Sequence, residues 1–123
     1  MSKILIADDS RFQVALLTQT LKEKGFEVVV AQDAVQAGMV ALRTSPDAIV
    51  LDINMPGGSG IEVLKRLRHS TRTEHIPVVV VSGNEDLDVR HVAIELGVAE
   101  FLPKPVDLDD LCKVLSSLMS SRS

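Results

Sequence analysis

Residues 3–9 read KILIADD, a short apolar run that stops on two adjacent acids, Asp8 and Asp9. The same grammar returns three times downstream. AIVL (48–51) leads into Asp52, VVVV (78–81) into Ser82, and FLP (101–103) into Lys104. Runs this short, unbroken and rich in Val and Ile suit strands covered on both faces. Between them, apolar residues recur at helical spacing, as in Val14, Leu17 and Leu21, or Val63, Leu64 and Leu67. The pattern predicts strands over 3–7, 27–31, 48–52, 77–81 and 99–102, alternating with helices. Ser10, Asp33 and Asp107 stand where N-caps belong, and Gly25 and Gly97 where helices should stop. Such repeats call for an α/β fold, a doubly wound five-stranded parallel sheet with helices on both faces. Ligands of an open α/β sheet bind beyond the carboxyl ends of its strands. All four polar points should therefore share one rim.

Neighbouring strands lie ~4.8 Å apart, so Asp8–Asp9 and Asp52 can share a ligand only if the first and third strands are neighbours. That moves the second strand outside the first and gives the order 2-1-3-4-5, a flavodoxin-like (βα)5 arrangement with its crevice at the switch point. The order follows from assuming a shared site. Pro103 inside the fifth strand suits an edge, because proline cannot donate to a ladder.

A length of 123 residues fits one domain with a tail over 120–123 expected to be disordered. The hydrophobic fraction is 46 %, without Trp or Tyr and with three Phe, so the core should be aliphatic. Cys112 is the single cysteine, which rules out an internal disulfide and suits a reducing, cytoplasmic compartment. It follows Leu108 and Leu111 at helical spacing and reads as a small core residue. No apolar run approaches the ~18 residues of a membrane span, and the N-terminus lacks the shape of a secretory signal. A net charge of −4, with Lys and Arg spread along the chain, argues against direct contact with nucleic acid. His69, His75 and His91 show no ligand spacing and are assigned no function.

Three converging carboxylates repel one another, by roughly 4 kcal/mol per pair at ~4 Å and an effective dielectric near 20. Such a cluster either raises a pKa or binds a cation. An all-oxygen site open to solvent suits Mg2+, and no Cys or His stands near enough in the pattern to favour zinc. Lys104 adds a positive charge and Ser82 a hydroxyl donor. This set matches a phosphoryl group carried on a carboxylate, chemistry known from aspartyl-phosphate intermediates.

Here the residues reach a family. Through ILIADDS, IVLDINMPGGSG, VVVVSG and FLPKPV, in the family's order and spacing, the chain closely resembles the receiver domain of two-component response regulators, of the chemotaxis-regulator kind. The resemblance covers essentially the whole chain, taken as residues 1–119. It implies that Asp52 is the phosphoacceptor. It implies that Asp9 and Asp52 ligate Mg2+ by their side chains, Asn54 by its backbone carbonyl and Asp8 through water. Ser82 would be the switch hydroxyl, Lys104 the contact to a phosphate oxygen, and Phe101 the aromatic switch. The Lys104–Pro105 bond is expected to be cis. Implied partners are a sensor histidine kinase or histidine phosphotransfer protein, and a downstream protein or effector domain met through the fourth helix, fifth strand and fifth helix. Leu87 and Ile94, opposite a core face of Val89, Val92, Ala93 and Leu96, are either ordinary surface apolars or, as the resemblance implies, part of that surface. The chain would catalyse only its own phosphorylation and dephosphorylation.

Two departures stand out. Gly83 replaces a more usual Ala, leaving that loop softer, and the GGS of MPGGSG replaces a bulkier, acidic pair at the start of the third helix. Asn54 and Asn84 fall where the family tunes phosphoryl loss. One rival is a phosphatase with an aspartate nucleophile, of haloacid dehalogenase type. It needs an acid two residues beyond that Asp, where this chain has Asn54. A flavodoxin-like electron carrier is the other, but this chain lacks a Ser/Thr-rich phosphate loop and aromatics to stack on a flavin.

Overall fold

A computed structural model describes residues 2–55, 59–83 and 86–120. The elements alternate as β1 (Lys3–Ala7), α1 (Arg11–Glu23), β2 (Glu27–Ala31), α2 (Ala34–Thr44), β3 (Ala48–Leu51), α3 (Gly60–Arg68), β4 (Val78–Ser82), α4 (Leu87–Glu95), β5 (Glu100–Pro103) and α5 (Leu108–Ser120). The strands form one five-stranded parallel sheet in the order β2-β1-β3-β4-β5. This is the doubly wound, flavodoxin-like arrangement expected from the strand runs. The register levels the strand ends: Ala7 pairs Leu51, Leu51 pairs Val80, and Ser82 pairs Pro103. Pro103 is tolerated because β5 is an edge. Strand bounds differ slightly from expectation, with β3 ending before Asp52 and β4 continuing to Ser82.

Strand side chains alternate between two cores. Leu5, Ala7, Ile49, Leu51, Val78 and Val80 face the side covered by α2, α3 and α4. Ile4, Ile6, Val50, Val79 and Val81 face α1 and α5, where Leu17, Leu21, Leu111 and Leu115 meet them. Cys112 is buried in this second layer, and burial pushes its thiol pKa up.

The local signals act as read. Ser10 and Asp33 accept from the amides of Gln13 and Gln36, and Asp107 from that of Asp110. Gly25 and Gly97 take φ of 91° and 78°, the left-handed conformation that ends a helix. Helix α5 continues through Ser120, one residue past the boundary expected at 119, and 121–123 lie outside the described residues.

One long-range tie was not legible in the pattern. The Arg68 guanidinium, at the end of α3, donates to the carbonyls of Glu74, Ile76, Leu96 and Gly97. It clamps the C-terminus of α4 to the loop before β4, and its own burial lowers its pKa.

Candidate phosphoryl site at the strand ends

The level strand ends bring Asp8, Asp52, Ser82 and Lys104 to one rim. Asp8 and Asp52 are only 3 % and 5 % exposed, and each fixes one oxygen on local backbone. Asp8 Oδ1 accepts from the Ser10 amide at 2.9 Å, and Asp52 Oδ1 from the Asn54 amide at 3.0 Å. Their second oxygens share one ammonium. Lys104 Nζ lies 3.3 Å from Asp8 Oδ2 and 3.2 Å from Asp52 Oδ2. Asp9 is exposed at the mouth. One oxygen from each of Asp8, Asp9 and Asp52 falls within 4.8 Å of the others.

Burial raises the Asp52 pKa and the charge of Asp8 adds to the rise, against the opposing pull of the Asn54 amide and Lys104. For Lys104, burial alone would lower the pKa, but the neighbouring charges of Asp52 and Asp8 outweigh it and the net shift is upward. The trio is thus a lysine held charged between two acids, with burial disfavouring the ionised form of Asp52.

Ser82 is buried at the end of β4. A pocket of about 330 Å3 runs from Ser82 and Lys104 to Leu87, Arg90 and Phe101. The Arg90 guanidinium stands 5.3 Å from the centroid of the half-buried Phe101 ring. The Lys104–Pro105 bond is cis, as expected. Leu87 and Ile94 are exposed on α4, and Ala93 is buried beneath it with Val89, Val92 and Leu96 half-buried. His69, His75 and His91 all lie on the surface.

The expectation about the third helix divides. Gly57 and Gly58 lie outside the described residues, as does Asn84, but Ser59 caps α3 by accepting from the Glu62 amide at 3.3 Å. At Gly83 an added Cβ would make only an ordinary contact, 3.9 Å from Lys104 Cβ.

Two residues escaped the sequence reading. Gly60 donates its amide to the Ile53 carbonyl at 2.7 Å, and an added Cβ would lie 2.6 Å from Ile53 Cα and 2.8 Å from the Asp52 carbonyl oxygen. It lets α3 sit directly on the backbone that carries Asp52. Phe12, in the first turn of α1 shortly after the acidic pair in sequence, is 73 % exposed. Its signal was available, since it falls off the Val14–Leu17–Leu21 stripe.

A rim of this composition, on this sheet order, has known relatives. Residues 4–116 match the response regulator receiver domain. The chain belongs to that family. The receiver is 38 % identical over 106 residues to the response regulator PleD of Caulobacter vibrioides, covering 86 % of this chain and 23 % of PleD. It is 28 % identical to the chemotaxis response regulator CheY4 of Vibrio cholerae, with a TM-score of 0.88 over 96 % of this chain and 98 % of that one. The fold also matches the receiver domain of the sensor histidine kinase PA1611 of Pseudomonas aeruginosa, at 23 % identity and a TM-score of 0.88 over 97 % of this chain and 98 % of that one. That structure has a magnesium ion coordinated in its active-site cleft. The receiver spans about a quarter to a half of the length of the curated relatives it matches. No described helix is long and apolar enough to cross a membrane.

Proposed function

We propose that Asp52 accepts a phosphoryl group from a phosphohistidine on a sensor histidine kinase or histidine phosphotransfer protein. What carries this reading is the Asp52 carboxylate, buried at a strand end, 3.2 Å from Lys104 Nζ and within reach of Asp8 and Asp9. An Asp52 oxygen attacks phosphorus, the P–N bond breaks, and the imidazole leaves with the bonding pair, neutral because its other nitrogen carries a proton. Asp9 and Asp52 side chains and the Asn54 carbonyl would hold Mg2+, with Asp8 acting through water. The donor set fits that ion, being all oxygen and open at Asp9. When bound, Mg2+ supplies neutralisation of charge on the phosphoryl oxygens. Lys104 holds one phosphoryl oxygen, at the same point where it now holds Asp8 and Asp52. Phe12 offers an apolar contact to the approaching donor.

The Ser82 hydroxyl donates to another phosphoryl oxygen, and its movement opens room toward Phe101 along the pocket they share. The surface of α4, β5 and α5 changes as a result and is read by a downstream protein or effector domain. The cytoplasm is the compartment this exchange requires, and neither nucleic acid nor membrane is a direct partner. Beryllofluoride, a phosphoryl mimic, tests the reading. With Mg2+ it should produce saturable amide shifts around Asp52, Ser82 and Phe101 in NMR spectra, and none in Asp52→Ala. Shifts undiminished in that variant would end the proposal.

A further inference from the structure

Helix α2 carries two apolar stripes and buries the smaller one. Ala34, Ala37 and Ala41 are buried, whereas Val35, Met39 and Leu42 remain 52 %, 51 % and 38 % exposed. The exposed stripe has helical spacing, and with Leu67 and Arg66 of α3 it encloses a groove of about 200 Å3. Gly38 lies in the middle of that stripe and lines the groove. Neither crowding nor backbone conformation asks for glycine there, because an added Cβ would meet nothing within 4 Å. A glycine in a helix interior is otherwise unfavourable. Its effect is to keep the groove floor clear.

Basic residues stand at the groove. Arg66 lines it and Arg43 lies in the last turn of α2, in a chain whose net charge is −4. No carboxylate among the described residues lines the groove. Among the described residues, neither Arg43 nor Arg66 is paired with an acid. Arg72 Nη2 donates to the Leu42 carbonyl at 3.2 Å, which lays its guanidinium along the lip.

We infer that this groove docks an amphipathic helix of a partner protein, apolar on one face and flanked by Asp or Glu. Apolar anchors at helical spacing would fill the trough, and the flanking acids would meet the arginines. The C-terminal halves of α2 and α3 lead into the starts of β3 and β4, so the groove opens toward the edge opposite the carboxylates. Its occupant leaves Asp52 accessible, and the surface is separate from that of α4, β5 and α5.

The probe is a fluorescein-labelled synthetic helix of about 18 residues, five turns, with Leu at i, i+3, i+4 and i+7 and Glu on both flanks. Anisotropy should show saturable binding, with amide shifts concentrated in residues 35–43 and 66–73. Gly38→Gln, which fills the floor, and the pair Arg43→Glu with Arg66→Glu should each weaken binding about tenfold or more. A Lys-flanked version of the peptide should bind about tenfold more weakly. Met39→Glu reads the same groove should Gly38→Gln lose helix content by circular dichroism. No binding of the acidic helix, equal binding of the Lys-flanked one, or affinity undiminished by both Gly38→Gln and Met39→Glu would overturn the inference. So would sedimentation showing that copies of this chain occupy the groove themselves.

Discussion

Lys104 divides its ammonium between Asp8 and Asp52, which sit 96 and 52 residues away in sequence, and the acid–base balance of the site follows from that division. Lys104→Met removes two of the attractions that hold the Asp52 pKa down, while burial and Asp8 go on raising it. Titration of the 13C-labelled Asp52 carboxyl should therefore move further upward in this variant, and an unchanged or lower midpoint would contradict the account. The stability consequence has a definite sign. Because the folded pKa of Asp52 is raised, its contribution to stability is present below the unfolded pKa and is lost as pH rises through the folded one. Where no cation is bound, ionisation of Asp52 works against the fold. Asp52→Asn should raise the urea midpoint at pH 7 in EDTA, with the gain shrinking as pH falls into the carboxylate range. Lys104 follows the same sign, in the lysine range. Its raised pKa gives stability that is present below the unfolded lysine value and is lost as pH climbs through the folded one.

Among the elements, two helix glycines have opposite tasks. Gly60→Ala would drive a methyl against Ile53 Cα and the Asp52 carbonyl oxygen, and should destabilise by about 1–3 kcal/mol in urea unfolding. Gly38→Ala meets open space and should stabilise by about 1 kcal/mol in the same measurement, the ordinary helix preference for alanine. Sequence periodicity revealed where strands and helices lie, because core burial leaves a mark at every second or every third to fourth residue. It could not show that Gly60 presses on backbone, since close approach leaves no periodic trace. Arg68 was equally invisible. Nothing in the pattern distinguishes the guanidinium that binds four carbonyls from the neighbouring Lys65 and Arg66. For α2, both stripes were apolar, and hydropathy alone did not say that the sheet would take the alanines.

Taken as a whole, the molecule builds its site from separate stretches that only the complete sheet holds in register. Asp8, Asp9, Asp52 and Lys104 were legible because each ends an apolar run, and parallel strands bring their ends together. The sharing of one ammonium was not, being a matter of side-chain reach. A ligand that binds only the assembled site stabilises the fold by mass action. Mg2+ at one hundred times its dissociation constant should thus add about 2.7 kcal/mol to unfolding free energy, and Asp9→Ala should abolish most of that gain. A Mg2+-independent urea curve in the native protein would deny the acidic triad its role.

Helix α4 is moored at its C-terminal end. The Arg68 bonds to Leu96 and Gly97 fix its heel, Ala93 alone is fully buried beneath it, and its toe begins at Asp86 beside the Ser82 pocket. Any displacement of that toe relative to the fixed heel would be largest near Leu87. That side chain, 77 % exposed, is the one whose swing an onlooking protein would notice first.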